Sequence, residues 1–275
     1  MISNKCYYCG SEENSFYAKE NGFTLVKCKN CGLLFVNNPP ALDEISQAQI
    51  LGVHGGEKQF EKQGKYEPRK IRRYCTVLEE LSIANNLNKI NSWLDIGCGY
   101  GEFIEAVKII NNKVNIIGNE PNIHKQQSAK RRNLDVSYFD LDNHEEKYDV
   151  ISLLNVYSHL PDPPVFLEKI SRLLVTGGEL IIQTGDTANL KKNDHYTPFS
   201  LPNHLSFASE EIVVGILEKL GFEIINIKKY SVMQFDIEMI IKEIVKLILP
   251  GYVSKMRVLF QGIKTDMFIR AKLKA

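Results

Sequence analysis

The chain has 275 residues, 44% hydrophobic and 24% charged, with a formal net charge of +1. That is long enough for one α/β domain plus a small extra module, and the charge balance argues against a surface built for nucleic acid or an anionic membrane. No apolar run reaches the roughly 18 residues of a membrane span, and Met1-Ile2-Ser3-Asn4 lacks the apolar stretch of a secretion signal.

Residues 1–38 are rich in Cys, Gly, Asn and aromatic residues. Cys6-x-x-Cys9 and Cys28-x-x-Cys31 are separated by eighteen residues, and Gly10 and Gly32 directly follow the second cysteine of each pair. This spacing suits two knuckles that supply four thiolates to one tetrahedral zinc ion. A closed shell of four thiolates leaves no position for water, so the zinc is expected to be structural. The alternative is a pair of redox CxxC motifs or buried thiols. Metal ligation rather than a disulfide framework points to a reducing, cytoplasmic location.

Pro39-Pro40 ends this module, because paired prolines favour extended backbone. Residues 41–65, with Gly52, Gly55, Gly56 and Gly64, read as a flexible linker or lid. Over 66–88, Ile71, Tyr74, Cys75, Leu78 and Leu81 recur at spacings of three and four, which predicts a helix. From Ser92 onward strands and helices alternate. Strands are predicted over 93–96, 114–118, 136–139, 148–154, 180–184, 222–227 and 267–273. Helices are predicted over 101–110, 122–132, 162–174 and from Ser209 to about Leu220, the third ending at Gly177-Gly178. Such alternation predicts an α/β fold, a doubly wound and mainly parallel sheet with helices on both faces. The domain division that follows is 1–38 for the cysteine module, 39–90 for linker and helix, and 91–275 for the α/β domain.

The strongest chemical signal is Leu94-Asp95-Ile96-Gly97-Cys98-Gly99-Tyr100-Gly101-Glu102, where a strand ends, glycines turn the chain and a helix begins. Gly97, Gly99 and Gly101 let the backbone approach a ligand. Asp95, two residues before the first glycine, would repel a pyrophosphate but suits an ammonium group. S-adenosylmethionine has that group and no phosphate. Glu120, at the tip of the next strand, has the reach to accept hydrogen bonds from both ribose hydroxyls. Asp140 and the Leu141 amide follow the third strand, where an adenine would lie. Cys98 in the loop and Asn155 after the fourth strand complete the expected cofactor set.

The stretch from Trp93 to about Thr184 resembles a class I S-adenosylmethionine-dependent methyltransferase core. Tyr148-Asp149-Val150-Ile151 and Leu174-Val175-Thr176-Gly177-Gly178-Glu179-Leu180-Ile181-Ile182 are similar to its fourth and fifth strand motifs. The cysteine module, ending in Cys31-Gly32-Leu33-Leu34-Phe35-Val36-Asn37-Asn38-Pro39, resembles the one on sugar C-methyltransferases and related methyltransferases of glycan and secondary-metabolite synthesis. The resemblance implies a seven-stranded sheet of order 3-2-1-4-5-7-6 with the last strand antiparallel. It also implies a small-molecule acceptor: a sugar, nucleotide-sugar or glycan-related metabolite. His204 matches the histidine that resembles the general base of sugar C-methyltransferases, but Asn203 stands where they carry a glutamate. Those enzymes have a further C-terminal domain, whereas this sequence ends with the predicted core sheet, so O- and N-methylation are expected at least as readily as C-methylation.

Acceptor chemistry is expected at the C-terminal edge of the strands, in 155–162 and 195–207. Histidine suits proton removal near neutral pH, and His204 and then His159 are the candidate bases, with Tyr196 as an orienting group. The competing reading makes both histidines hydrogen-bonded residues that shape the pocket. A very apolar helical insertion at about 231–264 is expected to be covered by its own domain, by the acceptor, by a homodimer partner or by peripheral contact with a membrane. The alternative function is an RNA methyltransferase that grips RNA with the cysteine module. No nucleic-acid partner is expected, since Lys5, Lys19, Lys27 and Lys29 are offset there by Glu12, Glu13 and Glu20.

Overall fold

A computed structural model describes residues 5–51, 65–195, 198–231 and 263–274. In the first stretch β1 (Asn14–Glu20) and β2 (Phe23–Cys28) form a hairpin, followed by β3 (Leu34–Val36). Asn21 and Gly22 close the hairpin with positive φ of 51° and 82°. Asn-Gly fits this two-residue turn because both positions need left-handed backbone, and its twist matches that of the strands. A helix, α1 (Leu42–Leu51), occupies most of the described part of the expected linker. It has no buried residue, which is why no apolar periodicity announces it.

Helix α2 (Pro68–Glu80) starts with proline in its first turn and is shorter than predicted. Ser82, at φ 58°, turns the chain, and residues 84–89 form a 3-10 segment instead. The α/β part then runs β4 (Ser92–Ile96), α3 (Glu102–Ile110), β5 (Asn115–Asn119), α4 (Ile123–Lys130), β6 (Val136–Ser137), β7 (Tyr148–Leu154), α5 (Pro163–Ser171) and β8 (Leu174–Gly185). It closes with β9 (Ser206–Phe207), α6 (Glu210–Lys219), β10 (Phe222–Ser231) and β11 (Lys264–Leu273). Most of the expected apolar insertion lies outside the described residues.

Seven strands form one sheet in the order β10-β11-β8-β7-β4-β5-β6. Neighbours from β6 to β8 are parallel, and β11 runs antiparallel to both β8 and β10. Counting these strands along the chain, the order is 3-2-1-4-5-7-6, as the resemblance implies. One difference lies at Gly177-Gly178, which does not stop a helix. Arg172 already caps α5, and the glycines sit inside β8. They form a bulge, since Tyr148 pairs with Leu174 while Val150 pairs with Glu179.

Side chains alternate between two cores, one on each face of the sheet. Trp93, Ile116, Val150, Ile181 and Phe268 meet α2 and α3 on one face. Leu94, Ile151, Leu153, Ile182 and Ile269 meet α5 and α6 on the other. Cys6, Val26, Cys28, Leu33 and Phe35 of the N-terminal segment belong to this second core. The N-terminal sheet is itself completed by a distant strand: its order is β1-β2-β3-β9, with Leu34 opposite Phe207 and Phe35 opposite Ser206. Sequence periodicity does not predict β9, because two residues are too short to show a period.

Candidate functional site

The chain crosses from the β4-β5-β6 side of the sheet to β7 and β8, so a crevice opens above the C-terminal ends of β4 and β7. The glycine loop lies at its rim. Gly97 (φ 68°) donates its N–H to the Asn119 carbonyl at 2.7 Å, and a Cβ there would collide with Val156. Among the described residues nothing lies within 4 Å of a Cβ built on Gly99 (φ 59°), and its N–H donates to Glu120 Oε2 at 2.8 Å. Glu120 Oε1 accepts from the Asn122 N–H at 3.0 Å. This buried carboxylate therefore ties the loop to the tip of β5. Two oxygens carry about four lone-pair sites, so it retains acceptor capacity beyond these two bonds.

Asp95 is buried at the end of β4. Its Oδ1 accepts from the Ser152 hydroxyl at 2.5 Å, and that oxygen in turn accepts from the Trp93 indole at 3.0 Å. Its Oδ2 is buried with no hydrogen-bond partner among the described residues. Burial pushes the Asp95 carboxyl up to about 7, and the nearby Glu120 and Glu102 charges add to the rise. A buried acceptor without a donor, beside a loop open to backbone approach, fits the ammonium end of S-adenosylmethionine. Ser152, which holds this acid in place, carries no signal of its own within an apolar strand.

The remaining expected cofactor residues are placed unevenly. Gly101 precedes the first residue of α3. Cys98 turns its side chain into the core with Ile104 and Val136, which leaves the backbone as its contribution to the loop. Leu141 is partly buried against the other core. Asp140 is exposed, and its oxygens accept from the Asp142 N–H at 3.0 Å and the Asn143 amide at 2.6 Å. Asn155 is exposed at φ 58°, its N–H donating to the Gln183 carbonyl at 3.0 Å. Tyr196 lies outside the described residues.

The two candidate bases meet. His159, in the turn after β7, and His204, just before β9, have ring centroids 4.7 Å apart. His159 Nδ1 lies 2.6 Å from the Asn203 carbonyl. A carbonyl only accepts, so Nδ1 carries a proton, and in the neutral ring Nε2 is the proton acceptor. Burial lowers the pKa of His159 and favours that neutral form. His204 Nδ1 lies 3.0 Å from the Ser158 hydroxyl. At the far edge of the sheet a cavity of about 730 Å³ is lined by Arg69, Arg72 and Arg73 of α2 with Tyr230 and Ser231 of β10. Arg73 is ion-paired to Asp266.

The four N-terminal cysteines converge. Their sulfurs all lie within 4.8 Å of one another, with Cys6 and Cys31 at 3.4 Å and Cys9 and Cys28 at 3.6 Å. A disulfide needs about 2.0 Å, whereas four sulfurs at ~2.3 Å from a tetrahedral metal stand ~3.8 Å apart. The donor set therefore fits a thiophilic metal such as zinc. Burial raises the Cys6 thiol to about 11, so a metal must displace protons to bind.

Comparison with known proteins agrees with the fold. The methyltransferase-domain signature spans residues 65–227, more than half of the chain. A tRNA (guanine-N(7)-)-methyltransferase of Rubrobacter xylanophilus is 29% identical over 113 residues, 34% of this chain and 51% of that protein. A ubiquinone biosynthesis O-methyltransferase of Proteus mirabilis is 26% identical over 99 residues, 33% of this chain and 40% of that protein. The chain thus spans about half or less of the length of these relatives. Magnesium protoporphyrin IX methyltransferase of Synechocystis PCC 6803 superposes with a TM-score of 0.53 at 14% identity, covering 86% of this chain and 100% of the other, which shows a shared fold. The chain belongs to the methyltransferase-domain family. Among the described residues no helix is long and apolar enough to cross a membrane.

Proposed function

We propose that the protein methylates a small, carbohydrate-related acceptor, with the His159–His204 pair removing the acceptor proton and one structural zinc ion holding the four cysteines. The observation that carries this reading is the pairing of two histidines from distant segments, one with its Nε2 kept as a proton acceptor. S-adenosylmethionine supplies a methyl carbon already activated by a sulfonium. The chain's own work is then to orient the acceptor and take its proton. In this reading Asp95 receives the ammonium, Glu120 the ribose hydroxyls, and Asp140 and the Leu141 amide the adenine. Asp140 would keep its two local bonds and use a further lone pair. The arginine-lined cavity has the charge for a phosphate, which supports a nucleotide-sugar over a free sugar.

The tRNA-modifying relative raises RNA as a second acceptor class. The cysteine module supports it poorly. Lys5 pairs with Glu12 at 3.1 Å and Lys27 donates to the Ala188 carbonyl at 3.2 Å, so two of its cations are already engaged. A methyl-transfer screen of sugars, nucleotide-sugars and transfer RNA, read by S-adenosylhomocysteine release, tests the proposal. Turnover of RNA alone would overturn it.

Two expected outcomes concern the cofactor. Glu120→Ala removes the acceptor of the Gly99 and Asn122 amides together with the proposed ribose contacts. Cofactor affinity should fall by about 2–4 kcal/mol in calorimetry. Equal affinity would mean that the ribose is held elsewhere. Asp95 has a folded-state pKa of about 7, above its ordinary 3.8. The native state therefore binds more protons than the unfolded chain between those values, and this contribution to stability is lost as pH rises through about 7. A bound cation reverses the preference. Cofactor affinity should rise with pH through the same window, with release of a proton seen in buffers of different ionisation enthalpy. Asp95→Asn should abolish the release, and its persistence would assign the proton to another group.

A further inference from the structure

The cysteine module is fastened to both segments that carry the paired histidines. Tyr7, between Cys6 and Cys9, donates its hydroxyl to Ser206 Oγ at 3.0 Å and lies 3.5 Å from the Tyr157 hydroxyl. Ser206 stands two residues after His204, and Tyr157 two residues before His159. Glu20, at the end of β1, accepts the Phe199 N–H on one oxygen at 2.7 Å and the Leu201 N–H on the other at 3.1 Å. Asn21 adds a bond from its side-chain amide to the Leu201 carbonyl at 2.8 Å. The Val36 N–H donates to the Leu205 carbonyl at 2.9 Å, while the Leu205 N–H donates to the Ser158 carbonyl at 2.7 Å. The module itself is docked: a side chain at Gly215 of α6 would collide with the Tyr8 hydroxyl.

These bonds share one consequence. His204 lies on a loop with little regular structure of its own, between Leu201 and Leu205, and both of those residues are held by the module. A loop held at both ends by hydrogen bonds cannot drift relative to the β7 turn that carries His159. We propose that the N-terminal module is the clamp that sets the spacing of the histidine pair, with Tyr7 and Glu20 as positioning residues that act through His159 and His204. The catalytic half of this inference rests on the function proposed above; the positioning half does not.

Tyr7→Phe keeps the ring and loses the hydroxyl. Glu20→Gln keeps the shape but places a donor against a backbone N–H. The test uses the full, metal-loaded chain saturated with S-adenosylhomocysteine, and metal content and melting temperature report that each variant is folded. The ring resonances of His159 and His204, read by NMR, should shift in both variants while affinity for S-adenosylhomocysteine stays within twofold. With the best acceptor from the screen, kcat should fall about tenfold to a hundredfold, the scale expected for a displaced catalytic group. The loss should vanish when the same change is made in His204→Ala, because a residue acting through another has nothing left to position. Unchanged ring resonances, or a rate loss that multiplies fully with that of His204→Ala, would overturn the proposal. Shifted resonances with full activity in His159→Ala and His204→Ala would support the positioning role and sink the proposed base. If one of the two variants does not fold, Asn21→Ala, which removes only the bond to Leu201, takes its place.

Discussion

Serine in place of Cys28 is expected to empty the metal site and to destabilise the whole chain by ~5 kcal/mol or more, not the N-terminal segment alone. The reasoning begins with the ligands. Four sulfurs within 4.8 Å of one another, those of Cys6 and Cys28 buried, would be a crowd of thiols without a cation between them, and one hydroxyl in the set leaves three ligands for a metal that wants four. The consequence spreads because the face of the module that carries the cysteines is part of the main core, while its other face has only a small cluster in which Leu25, Leu34 and Val36 meet Phe199 and Leu201. Cys6, Val26, Cys28, Leu33 and Phe35 lie in the same apolar cluster as Leu94, Ile151, Leu167 and Ile212. Losing the knuckles therefore uncovers the face of the sheet that α5 and α6 share. Metal analysis should give about one zinc per parent chain and nearly none in the variant, with one lowered unfolding transition. Because burial raises the Cys6 thiol to about 11, metal affinity should climb with pH as protons are displaced. A parent chain that folds without zinc, with all four thiols freely reactive, would refute the metal assignment.

The parts of this molecule that are legible in its sequence are those that repeat a local period or sit on a fixed spacing. The alternation of strands and helices predicts a doubly wound, mainly parallel sheet, the order of its seven strands comes from the resemblance to a methyltransferase core, and Gly97, Glu120 and the paired cysteines stand at fixed offsets from the strands and turns that carry them. The parts that are not legible depend on partners far along the chain. Strand β9 is two residues long and exists because β3, some 170 residues earlier, offers it hydrogen bonds. Helix α1 buries nothing, so it leaves no apolar stripe. Gly177-Gly178 reads as a helix stop because glycine suits both a C-cap and a bulge, and only the register against β7 separates the two. His159 and His204 are each recognisable as candidates from their position after a strand. Their pairing is not, since it depends on how the module holds the second loop. The Asn21-Gly22 turn is the one local signal that points to this arrangement, because it fixes the hairpin that places Glu20.

Replacing either paired histidine by alanine is expected to lower the methyl-transfer rate by about 10²–10⁴ with cofactor affinity nearly unchanged. The division follows from where the groups sit. The glycine loop, Asp95 and Glu120 belong to the ends of β4 and β5, whereas His159 and His204 follow β7 and β8. The two losses should not multiply. The rings are 4.7 Å apart, and the Asn203 carbonyl that holds His159 precedes His204 directly, so each variant disturbs the other's support. The pH profile separates the partners. Only neutral imidazole accepts a proton, so the rate rises as pH passes upward through the pKa of the base. Burial holds His159 below its ordinary 6.5, so a rate that His159 governs reaches its plateau at a lower pH than an exposed histidine would give. If that limb survives in His204→Ala and disappears in His159→Ala, His159 takes the proton and His204 orients it. If the limb follows His204 instead, the roles are reversed. If both variants keep the full rate, the acceptor needs no base, as a neutral amine would not. If affinity and rate fall together, the pair shapes the pocket and performs no proton transfer.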